Sequence, residues 1–275
     1  MRLRRLKPFL STVLLALATV ASRPLWAADC GPYRVGLREY PQVYQKQADG
    51  HYAGLDADFL EALAARSGCE LRLELASLPQ IWARLKEGSL DVTSWVIPSE
   101  ERATLVRVIP LVRVHLMAVT RRERGPLSQA EFLADPKQRA VAIRKASYGP
   151  GYDQLLAQLR EQGRVSEVGD FDAALHAFNA HRVDLMLAYP WTLAQQPAAW
   201  QEQVQIMDWQ PGAPSLQSGL AISRSTVREA DLKRFERALR EMQQDGSLEA
   251  IVHRHLSQAY AQLLPVPASE AAGGR

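Results

Sequence analysis

The stretch LDADFLEALAARSGCELRLELASLPQIWARLKEGSLDVTSWV, residues 55–96, decides the fold class. Leu55, Phe59, Leu60, Leu63 and Ala64 recur at helical spacing, and Gly68 stands where a helix ends on a left-handed residue. Glu70 to Leu75 alternates charged and apolar residues and predicts a strand. Ile81 to Glu87 reads as a second helix stopped by Gly88, and Asp91 to Val96 as the next strand. Upstream, Tyr33 to Leu37 reads as a short strand, and Asp49-Gly50 marks a turn in a hairpin. The order is β-α-β-α-β, the pattern of a parallel sheet layered with helices.

Further along the chain the logic repeats. Val114 to Thr120 is strand-like, Arg121 to Gly125 is a charged connector, and Val141 to Arg144 is a strand. The loop Tyr148-Gly149-Pro150-Gly151 leads into a helix over Tyr152 to Glu161. A helix over Phe171 to Asn179, a buried strand over Asp184 to Ala188, a helix over Trp191 to Gln201 and a strand over Val204 to Trp209 follow. Gly219 to Ser223 returns as a strand, and two amphipathic helices separated by Gly246 close the pattern. Pro265 to Arg275 is small, polar and predicted to be a flexible tail.

The 275 residues are 47% hydrophobic and 23% charged, a globular composition. The formal charge of +3 is unevenly placed. Residues 1–27 hold five basic residues and no acid, and the remainder carries 28 basic against 30 acidic residues. Arg2, Arg4, Arg5 and Lys7 precede an uncharged run from Phe9 to Ala21, and Leu25-Trp26-Ala27 offers a small residue for cleavage. These features predict a signal peptide over 1–27, cleaved near Ala27, and a periplasmic mature protein close to neutral. Nucleic-acid binding loses its support, because it rests on clustered basic charge. No dinucleotide, phosphate-loop or zinc-protease motif appears, and the six histidines form no ligand set, so neither a cofactor nor a metal is expected.

Six segments, in order, resemble the family 3 periplasmic solute-binding proteins, the amino-acid-type receptors of ABC importers. They are Arg34-Val35-Gly36 with Tyr40-Pro41, Gly54 to Leu60, Leu85 to Val92, Ser99-Glu100-Glu101-Arg102, Asn179 to Asp184, and Asp245 to Ile251. The resemblance spans nearly all of 33–257. It implies an α/β, two-lobed, type II periplasmic-binding fold, each lobe a mainly parallel sheet flanked by helices, with two hinge crossovers. Lobe 1 would comprise 28–119 and 218–264, and lobe 2 would comprise 120–217.

The same resemblance implies roles for single residues. Arg102 would grip a ligand carboxylate, and the planar guanidinium fork matches a carboxylate with two charge-assisted hydrogen bonds. Tyr40 stands where the family places an aromatic platform. Ser94 and Trp95 stand where small hydroxyl residues and backbone groups meet the ligand; Trp95 is bulkier than the pattern, and the Asp91–Arg102 loop is one residue shorter. Ser147 aligns with the hydroxyl of lobe 2 that binds the carboxylate, although Ala146 replaces the preceding glycine. Tyr189 occupies the position, five residues after Asp184, where amino-acid-binding members carry an Asp for the ligand ammonium. A phenol is neutral at pH 7 and cannot balance an ammonium, so a standard amino-acid ligand is in doubt. Trp82, Tyr148 and Trp191 either line the cleft or serve as packing residues.

Cys30 lies just before the first strand and Cys69 just before the second. Those strands are neighbours in a sheet of this class, and export favours oxidation, so a Cys30–Cys69 disulfide is expected. The expected function is capture of a small carboxylate-bearing solute for an inner-membrane ABC permease, by a monomer. A stand-alone sensor passing occupancy to a membrane signalling protein is the alternative. A cyclohexadienyl-dehydratase-like enzyme ranks last, because Glu39 is the one acid found near the cleft.

Overall fold

The computed structural model describes residues 30–256. The expected signal peptide, the expected tail and the end of the expected lobe 1 beyond 256 lie outside the described residues.

The first lobe opens with β1 (Tyr33–Leu37), the short hairpin β2 (Gln45–Lys46) and β3 (Tyr52–Ala53), and α1 (Leu55–Ser67). It continues through β4 (Leu71–Leu75), α2 (Leu78–Glu87), β5 (Val92–Val96), the single turn α3 (Glu100–Ala103) and β6 (Val106–Val114). Gly68 and Gly88 end their helices at φ 69° and 74°, as the spacing predicted. The second lobe holds β7 (Met117–Arg121), α4 (Gln129–Ala134), β8 (Ala140–Ile143), α5 (Pro150–Glu161), β9 (Val165–Val168) and α6 (Phe171–Asn179). After these come β10 (Leu185–Ala188), α7 (Pro190–Leu193), α8 (Ala198–Gln201) and β11 (Val204–Met207). The chain then returns to the first lobe with β12 (Leu216–Ser223), α9 (Glu229–Gln244) and α10 (Ser247–His255).

Two five-stranded sheets result, ordered β4-β1-β5-β12-β6 and β11-β7-β10-β8-β9. Each has the same plan. Three strands run parallel, β4-β1-β5 in one and β9-β8-β10 in the other. One antiparallel strand, β12 or β7, then joins them to an outer strand, β6 or β11. In the first lobe, Phe59, Leu60 and Leu63 of α1 pack with Phe235, Leu239 and Met242 of α9 on one face, while Ile81 and Leu85 of α2 cover the other. In the second lobe, Leu155, Leu156 and Leu159 of α5 and Phe171, Ala174 and Phe178 of α6 fall into separate clusters, Ala140 and Ala142 of β8 packing with the first set and Val141 with the second.

The chain crosses from one sheet to the other over 115–116 and returns over 208–215, a few residues ahead of 119 and 218. His115 and Asp208, one from each crossing, stand 3.1 Å apart. The strand read over 114–120 is thus two strands in different sheets. The long β6 was not foreseen, because Pro110 sits in its middle. As the outermost strand, β6 can carry a proline, and the ladder shifts register where Pro110 faces Gly219. A Cβ on Gly219 would run into the Ile109 carbonyl. The helix read over 191–201 is two single turns, because Pro197 opens the second one.

Cys30 and Cys69 are bonded, with Cα atoms 4.5 Å apart. The bond lies where β1 and β4 begin side by side, and the backbone doubles it, with Tyr33 N–H on the Glu70 carbonyl and Glu70 N–H on the Cys30 carbonyl.

Candidate functional site

In both sheets the carboxyl ends of the parallel strands face one cleft, the usual place for a ligand in an open α/β sheet. The cleft is a cavity of about 90 Å³ lined from both lobes. Arg38 and Tyr40 follow β1, Ser94 and Trp95 end β5, and Arg102 comes from α3. From the facing lobe, Ser147 follows β8 and Tyr189 follows β10. All six residues singled out in the sequence therefore line the same cavity, and Trp82, Tyr148 and Trp191 join them there.

Arg102 spans the cleft. Its Nη1 donates to the Ile97 carbonyl in its own lobe at 2.8 Å, and its Nη2 to the Lys145 carbonyl of the facing lobe at 2.8 Å. The guanidinium carbon lies 4.6 Å from the centre of the Trp82 ring, a cation–π contact. Burial lowers the Arg102 pKa, Asp153 offsets part of that, and the charge of Arg38 lowers it further. Tyr40 also reaches across, its ring 5.3 Å from that of Phe171. Tyr189 stacks on Trp191 with centroids 4.3 Å apart and an angle of 7°. Burial raises the pKa of Tyr40, Tyr148 and Tyr189, so all three present neutral phenols.

Ser147 is committed within its own loop. Its hydroxyl donates to Asp153 at 2.7 Å, and Tyr148 N–H donates to the other oxygen of that carboxylate at 2.8 Å.

Asp56, like Arg38, lines the cavity without standing out in the sequence. It is 2% exposed and sits in the first turn of α1. One oxygen accepts from Ser94 Oγ at 2.9 Å and the other from Trp95 Nε1 at 2.6 Å. Burial pushes the carboxyl up to about 7 against the opposing pull of those two donors and of Arg38. A signal was present: Asp56 precedes Phe59, Leu60 and Leu63 by three, four and seven residues, so it lies on the apolar face of α1. Glu39, by contrast, is exposed and does not line the cavity. Two residues flanking the cleft, Trp95 at φ 57° and Lys145 at φ 63°, hold left-handed backbone, a costly conformation that concentrates at functional sites.

The family model for bacterial extracellular solute-binding proteins, family 3, matches residues 33–258. The chain belongs to this family. Its two-lobed fold recurs in solved structures at about one-fifth identity. A mutant of ArgBP from T. maritima is 20% identical at a TM-score of 0.66, covering 81% of this chain and 94% of that one. A histidine kinase sensor domain with similarity to periplasmic binding proteins is 20% identical at 0.68, covering 85% and 96%. The ancestral amino-acid-binding protein that preceded cyclohexadienyl dehydratase is 18% identical at 0.66, covering 82% and 95%. No protein of curated function matches the sequence. Among the described residues, no helix is long and apolar enough to cross a membrane.

Proposed function

We propose that this family member is a periplasmic receptor that closes its two lobes around a small carboxylate-bearing solute and delivers it to an inner-membrane ABC importer. The observation that carries the reading is Arg102, which contributes charge to the cleft and bonds to both lobes at once. In the proposed complex a carboxylate takes the free edge of its guanidinium, and closure strengthens the contact by excluding water. Tyr40, Trp95 and Tyr189 supply aromatic walls, and Ser94 and Ser147 supply backbone groups at the strand ends, their hydroxyl protons being donated to Asp56 and Asp153. The receptor acts as a monomer and needs no cofactor. No bond is made or broken: Asp56 has the pKa of a general acid or base, but each of its oxygens already serves a neighbouring side chain.

A thermal-shift screen of amino acids, dicarboxylates, polyamines and aromatic acids tests this, because a ligand of the folded state raises Tm by mass action. Carboxylates should raise Tm, and Arg102→Ala should weaken the best of them about 100-fold, the loss of a buried charge-assisted pair. Hits confined to cations without carboxylates, unaffected by Arg102→Ala, would refute it. The likeness to a histidine kinase sensor domain supports a second reading, in which the closed lobes report to a membrane signalling protein. Solute uptake that survives deletion of the gene, together with a lost transcriptional response to the solute, would favour sensing over import.

A further inference from the structure

The lobe 1 wall of the cleft carries two arginines and very little to neutralise them. Arg38 makes no hydrogen bond or ion pair with any described residue; its guanidinium stands 6.0 Å from the Tyr40 ring. It is close enough for its charge to depress the Arg102 pKa and to act on Asp56. Asp56 is the one acid among the lining residues, and both of its oxygens are engaged. Asp153 also acts on Arg102, yet its two oxygens hold Ser147 and Tyr148. On the lobe 2 side Tyr189 brings no charge.

Hydrogen-bond donors are in surplus as well. The indole N–H groups of Trp82 and Trp191 are buried and have no protein partner, and both side chains line this cavity; Trp191 is only 8% exposed. A buried donor without a partner costs about 1–3 kcal/mol, and both of these lie in side chains that wall the cavity. Two guanidinium charges in a wall with no free carboxylate favour an occupant rich in oxygen acceptors. An ammonium would instead meet like charge at both arginines and no free carboxylate.

We propose, resting on the reading that this cleft binds a solute, that the solute is a small dianion without a free ammonium, a dicarboxylate in the simplest case, with one anionic group on Arg102 and the other on Arg38. The aromatic rings cover the apolar part between them. Arg38 is then a specificity residue, and Tyr189 excludes the amine by failing to supply a counter-charge.

Calorimetric titration of the protein with malonate, succinate, glutarate and adipate, against pentanoate, glutamine and glutamate, tests this. The best dicarboxylate should bind at least about tenfold more tightly than pentanoate or glutamine, roughly one charge-assisted contact, and more tightly than glutamate. Arg38→Gln should weaken it about tenfold and pentanoate distinctly less, and Arg38→Lys should recover part of the loss. Circular dichroism melts show that the variants fold. Glutamine or pentanoate binding as tightly as every dicarboxylate, or Arg38→Gln leaving dicarboxylate affinity intact, overturns the proposal. Binding that needs Arg102 but not Arg38 overturns only this inference. Absence of any response to carboxylates, with Arg102→Ala silent, overturns the receptor reading along with it.

Discussion

The two lobes share a framework and divide the cleft unequally. Each has a parallel trio of strands and one returning antiparallel strand. Each also ties its third parallel strand to its first with a motif aspartate. Asp91, just before β5, accepts from Arg34 N–H at 2.7 Å and from the Arg34 side chain at 3.0 and 3.1 Å. Asp184, just before β10, accepts from Arg139 N–H at 2.9 Å. The segments that identify the family are thus largely scaffold. The strand ends beyond them differ: lobe 1 brings Arg38, Arg102 and Asp56, and lobe 2 brings neutral Ser147, Tyr148, Tyr189 and Trp191. The charged side chains that line the cleft come from one lobe, whereas aromatic rings line it from both, on the same backbone plan.

The largest expected effect tests the shared framework. Asp91 is 3% exposed, and burial, which opposes its ionisation, is outweighed by the Arg34 bonds that hold its carboxyl below the usual range. Asp91→Ala should cost about 3–4 kcal/mol in urea unfolding, from the loss of three hydrogen bonds to a buried carboxylate, while Arg34, 38% exposed, keeps its access to water. Asp184→Ala, with a more open side chain at 15%, should cost less, about 1–3 kcal/mol. Equal losses would mean that the two ties are interchangeable.

Next comes the charge asymmetry of the cleft. The Asp56 carboxyl is raised to about 7, so the folded protein binds its proton more tightly than the unfolded chain does. Stability from this group is complete below the ordinary carboxylate range and is lost as pH rises to about 7, by at most about 4 kcal/mol. Asp56→Asn should remove that decline. Urea midpoints at pH 5.0 and 7.5 should therefore differ less in the variant than in the parent. A parent whose stability over that interval falls no more than the variant's would show Asp56 to be ionised throughout.

The disulfide staples lobe 1 only. Replacing Cys30 and Cys69 together by serine should lower stability by about 2–4 kcal/mol, given the 39-residue separation. Hydrogen exchange should quicken in β1 and β4 but not in β8 and β9; uniform quickening would mean that the lobes unfold as one unit.

Legibility in the sequence followed the same division. The trio β1, β4 and β5, with α1 and α2 between them, was readable because alternation, helical spacing and glycine stops agreed. Two edge strands were not, whereas edge strand β11 was: β6 carries Pro110, and half-exposed β9 shows no alternation. The short α4 left only a Ser128–Glu131 capping box as its signal. At the cleft, motif spacing brought out Arg102 and Tyr189, which stand at fixed offsets from framework residues. Arg38 and Asp56 escaped because their significance is spatial: one is an arginine that no described carboxylate meets, the other a carboxylate turned inward from a helix.

The smallest expected effect separates resemblance from geometry at Ser147. The family pattern gives this hydroxyl to the ligand, yet here its one proton is donated to Asp153 at 2.7 Å. A hydroxyl has a single donor, so it can serve a ligand carboxylate only by abandoning Asp153, whose other oxygen holds the Tyr148 N–H in the same loop. Ser147→Ala should therefore lower ligand affinity no more than about threefold, less than 1 kcal/mol, while costing about 1 kcal/mol of stability from the unanswered Asp153 oxygen. A tenfold or larger loss of affinity with unchanged stability would mean that the hydroxyl turns to the ligand on binding. Lobe 2 would then recognise charge as well, and the division of labour between the two halves would fail at this residue.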